Sequence, residues 1–240
     1  MNAIMKPVLP ALLIVLSCTG VRAAPAYLSA VGTVSAATVS VTSRIDGELI
    51  SVNFKEGETV QKGQLLAKID GFVYRLQLQE AQSRLTVEKK QHEEGVSNRD
   101  DILEVDQAEL ELAQRRLSYA DVTAPVTGVA GFRLIDVGNF VHAGESLVVI
   151  VQQQPIAVVF GIPQEVLPVM LQRLKAGDHP AVEVWDRGGT KKIATGHLGA
   201  VDNQIDPATG TVKAKATFEN KDEALFPNEF VNVRMILNTQ

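Results

Sequence analysis

The sequence predicts a mainly β protein with an inserted α-helical hairpin. Two related halves form a small β-sandwich, and a small antiparallel β-barrel follows, in an elongated multidomain chain. Three observations carry this reading. A set of glycines and apolar residues recurs at one fixed displacement; the stretch between the two copies has helical composition; and the last third alternates apolar and polar residues.

The bulk numbers leave room for one or two cores and exclude some functions. The chain has 240 residues, 45% of them hydrophobic and 21% charged, which is ordinary for a folded protein. A net charge of -5 and a pI near 5.4 argue against nucleic-acid binding. Aromatic residues make up only 5%, which argues against an aromatic-lined ligand barrel.

The N-terminus stands apart. After a weakly basic start, Val8 to Leu16 is an apolar run interrupted only by Pro10. It is shorter than the roughly 20 apolar residues that a membrane helix needs, and it suits the h-region of an export signal. Two exits are open. Val21-Arg-Ala23 fits a small-residue cleavage site, giving a signal peptide of residues 1–23, whereas Val15-Leu-Ser-Cys18 fits a lipobox in which Cys18 is lipidated. Cys18 is the only cysteine, so no intrachain disulfide is available. Residues 24–42 then form an N-terminal strand segment.

The repeat comes next. Gly47, Gly57 and Gly63 recur as Gly128, Gly138 and Gly144, each displaced by the same 81 positions, with Val60/Val141 and Ile69/Ile150 in step. Each copy reads as a β-rich run, a glycine turn, a short bridge, a second glycine turn and a further strand; glycine at the turns fits a need for positive φ. Neither half buries enough surface alone, so 43–72 and 120–151 are expected to pair. This is the half-motif of lipoyl and biotinyl domains. There the modified lysine follows the second strand, and the matching position here is Val73. With no lysine to acylate and more than forty residues between the halves, a carrier function is disfavoured.

Residues 73–119 read as an α-helical hairpin. Val73 to Glu93 lacks proline and glycine and is rich in good helix formers. Leu78, Ala81 and Leu85 form one seam, and Leu103, Leu110 and Leu117 repeat by sevens with Ala113, Ala120 and a polar Asp106 beside them. Gly95 to Asn98 breaks the helix, with Ser97 or Asn98 able to cap the second one.

Residues 152–240 carry the barrel. Thr211 to Phe218 alternates almost strictly, Phe230 to Leu237 and Ala181 to Trp185 less so, and one amphipathic helix from Gln164 to Leu174 ends at Ala176-Gly177. Four scattered histidines, no thiol partner and no nucleophile or phosphate-loop motif give no catalytic set, no metal site and no cofactor. Asp202 and Asp206 straddle Asn203-Gln-Ile but lack the glycine and terminal glutamate of a calcium loop, so a turn is expected there.

The order of split lipoyl-like halves (a barrel-sandwich hybrid), inserted hairpin and barrel resembles the periplasmic adaptor subunits, or membrane fusion proteins, of bacterial RND-type tripartite multidrug efflux pumps in the HlyD-like group. Ser43-Arg-Ile-Asp-Gly-Glu-Leu49, Thr123-Ala-Pro-Val-Thr-Gly128, Asp202 to Thr211 and Leu225-Phe-Pro-Asn-Glu-Phe-Val-Asn-Val-Arg234 look like the MdtA-type branch. The resemblance implies a non-enzymatic adaptor associated with the inner membrane on its periplasmic side. Its partners would be an inner-membrane proton-driven RND transporter, a TolC-type outer-membrane channel and further copies of itself, as trimer or hexamer. An adaptor of an ABC-type exporter, or a truncated relic, is the alternative. Family hairpin tips dock on the channel through Arg, Leu and Ser. The Leu position falls here on Lys90 and the Arg position on Thr86, so Val96 and Ser97 remain as tip residues. The family's membrane-proximal domain is built from chain ends. It is expected to be largely absent, with only Tyr27 to Val34 left to contribute.

Overall fold

The computed structural model describes residues 27–94 and 100–237. Its strands are β1 (Tyr27–Thr42), β2 (Gly47–Val52), β3 (Thr59–Val60), β4 (Leu65–Ile69), β5 (Asp121–Thr123), β6 (Gly128–Arg133), β7 (Phe140–Val141), β8 (Ser146–Pro163), β9 (Ala181–Trp185), β10 (Lys192–Asp206), β11 (Thr211–Phe218) and β12 (Phe230–Ile236). Helices α1 (Phe72–Glu93) and α2 (Asp100–Ser118) lie between β4 and β5, and α3 (Leu167–Lys175) follows β8.

The sandwich consists of two four-stranded layers. One has the order β5-β4-β2-β7; in the other, the C-terminal part of β1 and the N-terminal part of β8 pair beside β6 and β3. The two halves exchange partners with pseudo-twofold symmetry. Bridge β3 of the first half pairs on β6 of the second, Val60 opposite Gly128, while β7 of the second pairs on β2 of the first, Val141 opposite Gly47. Gly63 N–H donates to Ala124 O at 2.8 Å, and the equivalent Gly144 N–H donates to Ser43 O at 2.8 Å. The sequence repeat is therefore a structural twofold, and neither half has a complete ladder without the other. Val60, Leu49, Leu66 and Ile69 meet Val141, Ala130, Leu147 and Ile150 in one core, all 5% exposed or less. Each large aliphatic side chain buried there contributes about 1.5–3 kcal/mol.

The barrel closes on itself. Strands β12, β9, β10 and β11 run between the N-terminal part of β1 and the C-terminal part of β8, and those two pair directly from Gly32 opposite Phe160 to Ser35 opposite Ala157. Closure leaves this six-stranded ring without an open edge. Thr211 to Phe218 alternates buried and exposed, as the sequence predicts, and places Val212, Ala214, Ala216 and Phe218 inside. Helix α3 covers the interior with Met170, which is 1% exposed.

One expectation needs correction. Tyr27 to Val34 is not spare chain for a further domain. Tyr27 pairs with Ile236 and Thr33 with Phe230, and Val34 is fully buried in the barrel core. The same strand then continues into the sandwich, because β1 and β8 stay paired on both sides of a bulge between Ser35 and Ala37. Opposite that bulge β8 carries Gln153 to Ile156, including a cis Gln154–Pro155 peptide; proline, with no N–H to donate, suits a break in the ladder.

Candidate functional surface: the hairpin and its base

Helices α1 and α2 stand on the sandwich where β4 ends. Ile69 N–H donates to Ala120 O at 2.9 Å, and Asp70 N–H to Glu48 O at 2.8 Å, so the two feet of the hairpin are locked side by side. Tyr74, in the first turn of α1, fixes its direction: its hydroxyl donates to Asp46 O and accepts from Asp46 N–H, both at 3.2 Å. The position homologous to a carrier lysine is Val73, 58% exposed on the first turn of α1.

The seam between the helices is small and partly polar. Ala81 and Leu85 of α1 and Ala113 of α2 are buried, with Leu78, Leu103, Leu110 and Leu117 half-buried along the same line. Asp106 is buried in the same seam, 6% exposed, where a coiled coil ordinarily carries an apolar residue. Arg84 crosses the surface of the seam, donating to Glu109 at 2.7 Å and to Glu80 at 3.0 Å. Farther along, His92 Nε2 lies 3.7 Å from Asp100. Lys90 and Thr86, at the positions where the family carries Leu and Arg, are exposed; Lys90 lies 3.8 Å from Glu94, and the Thr86 hydroxyl donates to Gln82 O. Val96 and Ser97 lie outside the described residues, as does Cys18.

The six repeat glycines divide by cause. Gly57, Gly63, Gly138 and Gly144 have φ between 79° and 94°, which other residues rarely adopt. Gly47 and Gly128 start strands instead and are needed for close approach. A Cβ on Gly47 would lie 2.7 Å from the Ile69 side chain, and one on Gly128 2.6 Å from Val151 O. No sequence signal separates these two roles, because the close approach comes from a strand more than twenty residues further along the same half.

The β10–β11 hairpin contains Asp202 and Asp206. Asp206 accepts Ala208 N–H at 2.9 Å and Gly210 has φ of 63°, the geometry of a turn. Among the described residues no group of three or more His, Cys, Asp or Glu side chains is placed to hold a metal ion. No helix among them is long and apolar enough to cross a membrane.

A barrel-sandwich hybrid split by a helical hairpin and continued into a closed barrel defines the membrane fusion protein class. Two family models match, "RND MFP, barrel-sandwich hybrid domain" over residues 37–153 and "RND MFPs, beta-barrel domain" over residues 155–239. The chain belongs to the RND membrane fusion protein family. Multidrug resistance protein MdtA of Escherichia coli K12 is 39% identical over 249 residues, 91% of this chain and 60% of that protein. MdtA of Cronobacter turicensis gives the same figures. The chain thus spans about 60% of the length of the curated relatives it matches. Among solved structures, a MacA-MexA chimeric protein containing the Pseudomonas aeruginosa MexA α-hairpin domain superposes with a TM-score of 0.72 at 17% identity, covering 90% of this chain and 83% of that one. The membrane fusion protein Spr0693 of Streptococcus pneumoniae R6 gives 0.67 at 19% identity, covering 88% of this chain and 100% of that one. At such identities the likeness is one of fold.

Proposed function

We propose that the chain is a periplasmic adaptor. In this reading it is exported, held at the outer face of the inner membrane, and links an RND transporter to an outer-membrane channel as one copy in a ring of several. It has no chemistry of its own. The observation that carries the reading is the chain's course at Ile69. Where a lipoyl carrier would present its lysine on a tight hairpin, this chain turns into α1 and builds a two-helix projection locked to the sandwich at its base. A projection fixed at its foot suits contact at a distance rather than delivery of a swinging group. The MdtA relatives, named for multidrug resistance, support the choice of an RND transporter as partner and of drug-like small molecules as cargo.

The test is complementation. The chain, expressed with its signal in cells lacking their own RND adaptor but holding a transporter and channel, is expected to restore drug export. A photo-crosslinker at position 97 is expected to capture the channel. Restored export without a crosslink removes Ser97 from the docking tip. No restoration with any RND transporter offered, in cells where the chain is exported and folded, overturns the adaptor reading.

A further inference from the structure

Where the hairpin meets the sandwich, a cleft of about 400 Å³ opens between α2, the first turns of α1 and the β1–β2 connection. Three arginines line it: Arg44 from the sandwich, and Arg115 and Arg116 from the last turn of α2. Among the described residues none of the three forms an ion pair, and Arg44 lies over the ring of Tyr119, its guanidinium carbon 5.0 Å from the ring centre. The chain holds 28 acidic side chains against 23 basic ones, so unpaired arginines grouped in one concavity are not a product of composition.

Two of the three have an ordinary explanation. Basic residues in the last turn complement the partial negative charge at a helix C-terminus. That does not account for Arg44, which arrives from a different layer and brings a third positive charge beside them. Asp46 is the one carboxylate lining the cleft, and it is engaged elsewhere: it accepts Ala143 N–H at 2.9 Å and lies 3.5 Å from His142 Nδ1. The walls are held in place. Tyr74 is tied to the Asp46 backbone, and the ring of Tyr119 fixes the approach of Arg44. Like charges held together repel, and a bound anion relieves this while satisfying planar donor forks that suit phosphate oxygens.

We infer that Arg44, Arg115 and Arg116 form a binding site for a phosphate-type dianion, either free or as the headgroup of an anionic phospholipid. Three guanidinium charges set against Asp46 leave about two positive charges, matching a phosphomonoester dianion. This inference does not depend on the adaptor reading, since it concerns the cleft alone.

The experiment titrates the full chain with inorganic phosphate against chloride at a constant ionic strength of about 0.15 M, following backbone amide shifts by NMR. Saturable shifts confined to residues 44–46, 74, 115–119 and 143 are expected with phosphate and not with chloride. The double variant Arg115→Gln/Arg116→Gln, which retains the Arg44–Tyr119 contact, is expected to bind roughly a hundredfold more weakly, about tenfold per arginine. Adding Arg44→Gln is expected to abolish the shifts, with an unchanged far-UV spectrum confirming the fold. Flotation with phosphatidylcholine vesicles, with and without phosphatidic acid, separates the sources. Flotation that needs phosphatidic acid and is displaced by phosphate assigns the lipid, whereas phosphate shifts without flotation assign the free ion. Linear, non-saturating shifts, equal shifts with chloride, or undiminished binding in the double variant would each overturn the site.

Discussion

The N–H of Gly57 donates to the carbonyl of Ala130 at 2.8 Å, and 81 residues further on the N–H of Gly138 donates to the carbonyl of Leu49 at 2.8 Å. Each half of the sandwich closes the other's turn, so the repeat forms one cooperative unit whose twofold equivalents can be perturbed in pairs.

Substituting the two kinds of repeat glycine is expected to give different losses. Gly57→Ala and Gly138→Ala meet open space and bear only the left-handed backbone cost, about 1–2 kcal/mol. Gly128→Ala places a methyl group 2.6 Å from Val151 O, which only a backbone shift relieves; overpacking of that kind costs about 3 kcal/mol. Urea denaturation of the two classes, compared at equal slope, checks the order.

Asp106→Leu is expected to stabilise the hairpin. The carboxylate sits in the seam at 6% exposure, and an apolar side chain there removes a desolvation cost of about 1–3 kcal/mol. The helical signal in a thermal melt is expected to persist to higher temperature. A lower melting temperature would mean that Asp106 serves a specific partner.

Asn220→Ala is expected to loosen the β11–β12 connection. Its side chain donates to Gln153 O and Leu225 O, both at 3.1 Å, and accepts Leu225 N–H at 3.0 Å, while its φ is 53°. Three lost hydrogen bonds at a 5% exposed position cost about 2–3 kcal/mol. Asn220→Gly relieves the backbone but not the hydrogen bonds, and is expected to fall between wild type and Ala.

The β9–β10 turn is expected to respond to acid. N–H groups of Lys191 and Thr190, with the Thr190 hydroxyl, donate to the Asp186 carboxylate and hold it below the usual carboxylate range. Because its folded pKa is depressed, this support is complete above the unfolded value of about 4 and is lost as pH falls through the lower folded value. The protection factors of the Thr190 and Lys191 amides, taken against intrinsic exchange at each pH, are expected to fall below about pH 4, and Asp186→Asn to remove that dependence.

Much of the fold was legible because its signals are local. The 81-residue displacement is visible as matched glycines, the hairpin as a run without proline, and β11 as strict alternation. What stayed hidden is set by distant pairing. Tyr27 to Val34 reads as leftover chain until β12 is seen beside it, and the split between turn glycines and close-approach glycines exists only once Ile69 and Val151 are in place. The cleft was missed for the same reason. Arg44 lies 71 residues before Arg115 in the chain, and only the locked hairpin base brings them together. No composition window reports such a convergence.

Strands β1 and β8 pass through both domains as one paired ribbon, broken between the domains at Ser35 to Ala37 and shifted in register once more between Val41 and Thr42 within the sandwich. A pull applied along that ribbon loads its hydrogen bonds in shear, many at a time, instead of unzipping them singly. The two domains are therefore joined by two paired strands and not by a single-chain linker. Between the two domains that ribbon is broken only where Ala36 faces Gln153 to Ile156.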